Sequence, residues 1–482
     1  MMEGRPQKSL KKNAGLNMIK TLMGLIFPLI TFPYASRILQ PVGLGKVNFA
    51  NSIVSYFAMI AALGISTYGI REAAKLRNDK IALTKFIKEI LSINLISTAI
   101  AYILLLCTIL FVPQFSEYKS LLIVCSGTIL FVTLGMDWLY TALEEFSYIT
   151  IRSIVFQFIS LILLFIFVRT KDDYLKYAAI GVVSSVGSNI CNFLHARRYI
   201  SFREKVCINF HPHIKPIFTL FAMSVAVSVY TALDSTMLGF IAGDEQVGFY
   251  TAATRINKII LSVIAATSSV LLPRLSFFSS LHNDEQFFSL SAKALKFVIL
   301  LSLPCAVGLS LVARPVILLL SGYRYVQAIP VMQIMNPIIV AISLSGLIGI
   351  QIFMPLGKEK ITLVSVLLGA VINFCLNMIL IPRKGAFGAG IATLCAECSV
   401  TIFQLAFAWK FFEWKMIFVH FLQCVAACVA MMVCVFFLMK IEVNMILQLV
   451  LSVVFGALVY GIMLILLRNS FCLSLFKECF RK

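Results

Sequence analysis

Apolar runs of about twenty residues recur along almost the whole of this 482-residue chain, separated by short connections rich in Lys and Arg. A run of that length is what a helix needs to cross the hydrocarbon core of a bilayer, where a segment must satisfy its own backbone hydrogen bonds. The expected fold class is therefore all-α, a polytopic integral membrane protein. With 60% of residues hydrophobic and 13% charged, the chain exceeds what a soluble core requires, which excludes a soluble enzyme, a nucleic-acid binder and a secreted scaffold. At roughly 30 to 35 residues per span and connection, the length accommodates about fourteen transmembrane helices and leaves nothing for a soluble domain.

The 41 Lys and Arg against 21 Asp and Glu give a net charge of +20. In a membrane protein that excess is what the collection of bases in cytoplasmic loops produces without any nucleic-acid partner. The first apolar run, Ala14 to Ser36, is too long for a signal-peptide core and follows a basic arm (Arg5, Lys8, Lys11, Lys12) that keeps the N-terminus cytoplasmic. Alternating the loops from that start puts about 27 basic residues inside and about 13 outside, with both termini cytoplasmic. The segment Arg169, Lys171, Lys176 is a basic outside loop that runs against the rule. Most of the thirteen Cys lie in apolar runs and serve as small hydrophobes, with no disulfide framework implied.

Ile38 to Arg71 aligns without gaps on Ile241 to Arg274, with identities at Ile38/Ile241, Gly45/Gly248, Ala50/Ala253, Ile53/Ile256, Ala62/Ala265, Ser66/Ser269 and Arg71/Arg274. The offset spans about six helices, an even number, so the reading is two parallel, pseudo-symmetric six-helix bundles. The expected organisation is a cytoplasmic basic arm (1–13), an N-terminal bundle (14–197), a cytoplasmic basic linker (198–215), a C-terminal bundle (216–409), two additional transmembrane helices (410–467) and a cytoplasmic tail (468–482).

Polar residues inside spans are costly and face a cavity or a neighbouring helix. Asn13, Asn17, Lys20, Gly24, Pro28 and Thr31 follow helical spacing in the first span, where Pro28 and Pro33 are expected to kink the helix. Thr251, Arg255, Lys258 and Ser262 share a face of the eighth span, and their repeat mates Asn48, Ser52, Ser55 and Met59 share one of the second. Ser224, Ser228, Thr231 and Ser235 line the seventh span beside Asp234. One reading is a polar cavity in which Lys20, Arg255 and Lys258 attract a phosphate or acidic sugar, with Asn17, Arg37, Asn48 and Thr251 as further substrate-binding candidates. The other has Arg255 and Lys258 snorkelling to the outer headgroups while the hydroxyl stripes cement helix packing. Asp234 and Glu397 are candidates for ion coupling, since a carboxylate in a low dielectric holds a proton or helps bind Na⁺; each equally suits pairing with a neighbouring base. Gly385, Gly388 and Gly390 lack the ending of a phosphate loop, Cys395 and Cys398 have no second pair to complete a zinc site, and the five His are scattered. No cofactor, metal site or catalytic constellation is expected.

Several segments resemble the polysaccharide transporter, or O-antigen flippase, family: FPLITFPYASRILQPVGLGKVNFANSIVSYFAMIAALGISTYGIREAAKLRND, GMDWLYTALEEFSYITIRSIVFQFISL, LDSTMLGFIAGDEQVGFYTAATRI and QIFMPLGKEKITLVSVLLGAVINFCLNMILIPRKGAFGAGIATLCAECSV. The resemblance implies a multi-pass bacterial inner-membrane protein of the superfamily that also holds multidrug and toxin extrusion transporters and the lipid II flippase. It also implies a task, moving an undecaprenyl-diphosphate-linked oligosaccharide to the outer leaflet for surface polysaccharide assembly, with polysaccharide polymerase and chain-length machinery as further partners. Family motif positions fall on Pro33, Arg37, Gly43, Gly45, Arg71, Glu72, Asp137, Trp138, Glu145, Asp234, Gly248, Tyr250, Pro273, Asn373, Asn377, Pro382, Gly385 and Glu397, most of them structural. The alternatives are a cation-coupled exporter of amphipathic compounds on the same fold, and a membrane glycan polymerase or ligase, against which the short loops argue.

Overall fold

The computed structural model describes residues 10–200, 208–269, 271–281, 283–441 and 443–474. The expectations for residues 1–9 of the arm, 201–207 of the linker and 475–482 of the tail fall outside them. The chain divides into two compact units, Met1–Gly239 and Phe240–Lys482. The first holds α1 (Leu10–Ala62), α2 (Ile65–Lys75), α3 (Lys80–Phe111), α4 (Lys119–Gly135), α5 (Asp137–Ala142), α6 (Phe146–Phe167), α7 (Tyr174–Val182), α8 (Asn189–Ala196) and all but the end of α9 (His211–Ile241). The second holds α10 (Asp244–Ser269), α11 (Leu272–Ser280), α12 (Asp284–Leu311), α13 (Ala313–Ser321), α14 (Ala328–Met335), α15 (Ile338–Gly346), α16 (Glu359–Ala408), α17 (Trp414–Leu438) and α18 (Met445–Leu466).

Among the described residues, ten stretches are long and apolar enough to cross a membrane. Two of them contain a break that divides them in two: α1 at Gln40 (φ 61°, ψ 177°) and α16 at Gly385 (φ 52°, ψ −131°). α9 and α10, of 31 and 26 residues, are long enough to cross but are not among those ten; counting them gives helices for about fourteen spans. The break in α1 follows from Pro41, whose ring disfavours helical backbone at the residue before it. Pro28 and Pro33, expected to bend the first span, sit instead in backbone of helical dihedrals. Gly243 (φ 85°), between α9 and α10, occupies the position of the repeat equivalent to Gln40.

Along part of α3 small and polar side chains turn inward and branched aliphatic ones outward. On α3, Asn94, Ser97, Thr98 and Ala101 are buried while Ile96, Ile100, Ile103 and Leu110 are exposed, the distribution expected when the solvent is lipid and association depends on close packing and interhelical hydrogen bonds. Asn94 Nδ2 and Ser97 Oγ both donate to the Ala61 carbonyl, at 2.7 and 2.6 Å, and tie α3 to the last turn of α1. On α18, Ser452, Gly456, Tyr460 and Leu464 form the buried stripe, and Gly456 lets the helix close on Val435 and Met431 of α17.

The basic segment after α6 has local structural work. Asp173 accepts from the Arg169 and Thr170 amides at 3.0 and 2.8 Å and pairs with Lys176 at 2.6 Å. The Lys176 ammonium and those amides hold its carboxyl far below the usual carboxylate range, so what the turn contributes to stability is present at neutral pH and fades only as strong acid protonates Asp173.

Gly64 (φ 70°) turns the chain from α1 into α2, and a Cβ there would lie 2.8 Å from the Phe221 amide nitrogen and 2.9 Å from the Leu220 carbonyl carbon. Gly243 needs the same left-handed backbone but faces open space. Gly64→Ala is expected to destabilise by more than 2 kcal/mol and Gly243→Ala by about 1 kcal/mol, the cost of the backbone conformation alone. Thermal unfolding of the two variants in detergent checks the order.

Candidate functional site

In the first unit one hydroxyl stripe read from sequence, at Ser52, meets α9 next to the other. Ser52 Oγ accepts from Thr236 Oγ1 at 3.0 Å, and the Tyr56 hydroxyl lies 3.1 Å from the same Thr236 oxygen. Asp234, 6% exposed, is close enough to Tyr56 to act on it electrostatically. Such an approach of α9 to the second arm of α1 requires Gly239, where any Cβ would overlap the Phe49 ring. Asn48, one turn before Ser52, turns its Nδ2 back onto the Leu44 carbonyl at 2.8 Å. Lys20 is half-buried and Arg37 exposed on α1, near opposite ends of its first arm. The Asn17 side chain lies outside the described residues.

In the second unit α10 carries the cationic candidates. Arg255 is half-buried and Lys258 exposed, roughly 16 and 21 Å along the helix from Asp244 at 1.5 Å per residue. Thr251 Oγ1 donates to the Val247 carbonyl at 2.8 Å. Between these residues, buried Asn257 accepts at 2.9 Å from the Asn336 amide, oriented so that it also accepts from Ser310. Glu397, 9% exposed, lies on α16, where Thr401 Oγ1 donates to its carbonyl at 2.8 Å and to that of Ala341 at 2.9 Å. The Tyr250 hydroxyl meets Thr393 Oγ1 at 3.2 Å and joins α10 to the same helix.

Gly385 and its neighbours, set aside as a phosphate loop, have a structural explanation. The Gly385 backbone leaves the amide of Ala386 without a partner in its own helix, and Gln246 Oε1 accepts from it at 2.9 Å. A Cβ at Gly385 would overlap the Gln246 side chain. Gly388 lies against the Leu380 carbonyl in the same close-packed corner.

Two charged networks tie helices of the first unit together, one half-exposed at Asp137 and one buried at Glu89. Asp137 Oδ1 accepts from Asn192 Nδ2 at 2.7 Å and Arg152 Nη2 at 3.1 Å, which welds α5, α6 and α8; Gly135 leaves room for the Asn189 side chain just before it. Glu89 on α3 receives His213 Nε2 of α9 at 3.0 Å. The Glu89 and His213 partners are 124 residues apart, a distance over which helical periodicity carries no signal. An apolar cavity of about 520 Å³ lies in the second unit among Ile260, Leu301, Pro304, Cys305, Val453 and Tyr460, on α10, α12 and α18.

Residues 10–279 match the family described as "Polysaccharide biosynthesis protein". The chain is 25% identical over 404 residues to the "Putative O-antigen transporter" of Escherichia coli (strain K12), covering 83% of this chain and 96% of that one. Its fold is similar to that of "Lipid II flippase MurJ, inward closed conformation", with a TM-score of 0.75, 18% identity and coverage of 94% and 98%. A multidrug resistance MATE family transporter of the MOP superfamily, in an inward-facing conformation, gives a TM-score of 0.61 at 15% identity, with coverage of 83% and 97%. At these identities the two solved structures speak to the fold.

Replacing Gln246 by Leu strands the Ala386 amide and is expected to cost about 1–3 kcal/mol, whereas Gln246→Glu keeps an acceptor and most of the stability. Thermal unfolding of both variants in one detergent reads the difference.

Proposed function

The chain belongs to the polysaccharide biosynthesis protein family, and from that premise we propose that it is a flippase. On this reading it carries undecaprenyl-diphosphate-linked oligosaccharide repeat units from the cytoplasmic to the outer leaflet of a bacterial cytoplasmic membrane. The product serves surface polysaccharide assembly, and both termini of the flippase lie in the cytoplasm. The observation that carries the mechanism is the depth of charge on α10. A hydrocarbon core is about 30 Å thick, so Arg255 and Lys258, roughly 16 and 21 Å along the helix, come near the bilayer midplane, too deep to be simple headgroup anchors. Charge at that depth is costly and marks a pathway. Its sign suits a diphosphate and acidic sugars, with Lys20 as a third cation and Asn17, Arg37, Asn48 and Thr251 as polar contacts. The apolar cavity among α10, α12 and α18 matches the chemistry of a polyprenyl chain, which needs no polar partner.

Transport requires no covalent chemistry. Two six-helix bundles, 14–197 and 216–409, rock about the substrate and expose it to one side and then the other. The direction of net movement needs a state-dependent affinity, and Asp234 and Glu397, both buried, are the coupling carboxylates of this proposal.

In proteoliposomes holding a fluorescent polyprenyl-diphosphate oligosaccharide, the exposure of the glycan to an external glycosidase measures translocation. Lys20→Ala and the double variant Arg255→Ala/Lys258→Ala are expected to slow it at least tenfold, the loss of about 1.4 kcal/mol or more of charge-assisted recognition. Rates equal to the unsubstituted chain in both variants would refute the cationic path.

A further inference from the structure

The pair of Glu89 and His213 is a site in its own right. Glu89 is 4% and His213 8% exposed. Glu89 Oε2 lies 3.0 Å from His213 Nε2, and its Oε1 accepts from the Asn209 backbone amide at 2.9 Å. The other imidazole nitrogen, Nδ1, lies 2.8 Å from the Tyr68 hydroxyl. Phe86 closes the ring edge-on at 5.5 Å and itself meets Trp138. The site thus joins α2, α3 and the first turn of α9, the helix through which the chain passes to the second unit.

The chemistry of this arrangement is that of a proton acceptor. A carboxylate this deep is costly unless a cation compensates it, and the imidazole beside it supplies that cation when it carries a proton on both nitrogens. With Nδ1 bare, the Tyr68 hydroxyl donates to it; with Nδ1 protonated, the same hydroxyl turns and accepts. Nε2–H donates to Glu89 in both states. The site therefore gains or loses a proton without breaking any of its three hydrogen bonds. What changes is their strength, because the proton converts the Glu89 contact from a hydrogen bond to neutral imidazole into an ion pair. The charged groups nearby are Arg71, whose guanidinium stands 5.7 Å from the Tyr68 ring centre, and Glu72, both from α2. Lys88 flanks Glu89 on α3 and Lys215 follows His213 on α9, while α5 presents the neutral Trp138.

We infer that Glu89, His213 and Tyr68 form a proton-binding site that clasps the start of α9 to α2 and α3 and couples proton uptake to helix movement. The proton comes from the aqueous phase to Nδ1 and returns there. Bound, it tightens the clasp; lost, it leaves the start of α9 easier to displace. The coupling half of this inference rests on the flippase reading, and the proton site does not. It is separate from Asp234, near the other end of α9, and from Glu397.

The Asn209 amide is a built-in reporter. In the full chain reconstituted in nanodiscs, hydrogen exchange of peptides spanning 208–214, corrected for intrinsic pH dependence, is expected to be about fivefold slower at pH 6 than at pH 8, because the Glu89 and His213 ion pair makes local opening of the clasp rarer than the neutral contact does. Glu89→Gln and His213→Asn are each expected to abolish that difference. Equal protection at the two pH values in the unsubstituted protein would overturn the proton site, and that comparison decides even if a variant fails to fold. In proteoliposomes, a pH gradient should accelerate glycan translocation by the unsubstituted protein and not by Glu89→Gln. Translocation indifferent to the gradient would overturn the coupling. Absence of translocation under every condition would sink the flippase reading and the coupling with it, with the exchange result still judging the proton site.

Discussion

Inside a bilayer no water is at hand to satisfy a polar group, so a polar group within a span is costly unless it finds a partner in the protein. That constraint organises this chain. It sends Asn94 and Ser97 of α3 to the carbonyl of Ala61, and Thr401 to that of Ala341. It requires that the amide freed by the break at Gly385 be met by Gln246. Outward faces, with no such demand, carry Ile, Leu, Val and Phe.

The class of fold was legible because length and hydrophobicity decide it. The repeat was visible as well, and the left-handed residues Gln40 and Gly243 fall at equivalent positions within it. The hydroxyl stripes could be read from helical spacing, and Ser52 of one does meet Thr236 beside the other. Their meeting point could not be read, since periodicity gives the face of a helix and says nothing of its neighbour. Tyr56 and Thr236, which complete that contact, lacked any mark to set them apart. The His residues looked scattered because His213 finds Glu89 and Tyr68 on two other helices. Pro28 and Pro33 lie in helical backbone, and the break that divides the helix falls at Gln40, before Pro41.

Two kinds of polar element coexist in the structure. Asp137 with Arg152 and Asn192, and Gln246 with Ala386, fix corners where short helices change direction. Lys258 is different: it is exposed on a helix long enough to span and lies far from either of its ends. On the flippase proposal such a cation suits a passage for an anionic load, with Asp234 and Glu397 proposed for coupling and the Glu89 and His213 pair proposed as a proton site.

The central claim is that the load is recognised through its anionic link, and one comparison tests it most directly. The same oligosaccharide, carried on a polyprenyl diphosphate or on an uncharged lipid of equal length, is offered to the purified protein in proteoliposomes and its arrival in the opposite leaflet is timed. The account predicts that the diphosphate-linked form crosses at least tenfold faster and that salt narrows the gap by screening. Equal rates for the two carriers, or preferential movement of cationic amphiphiles, would contradict it.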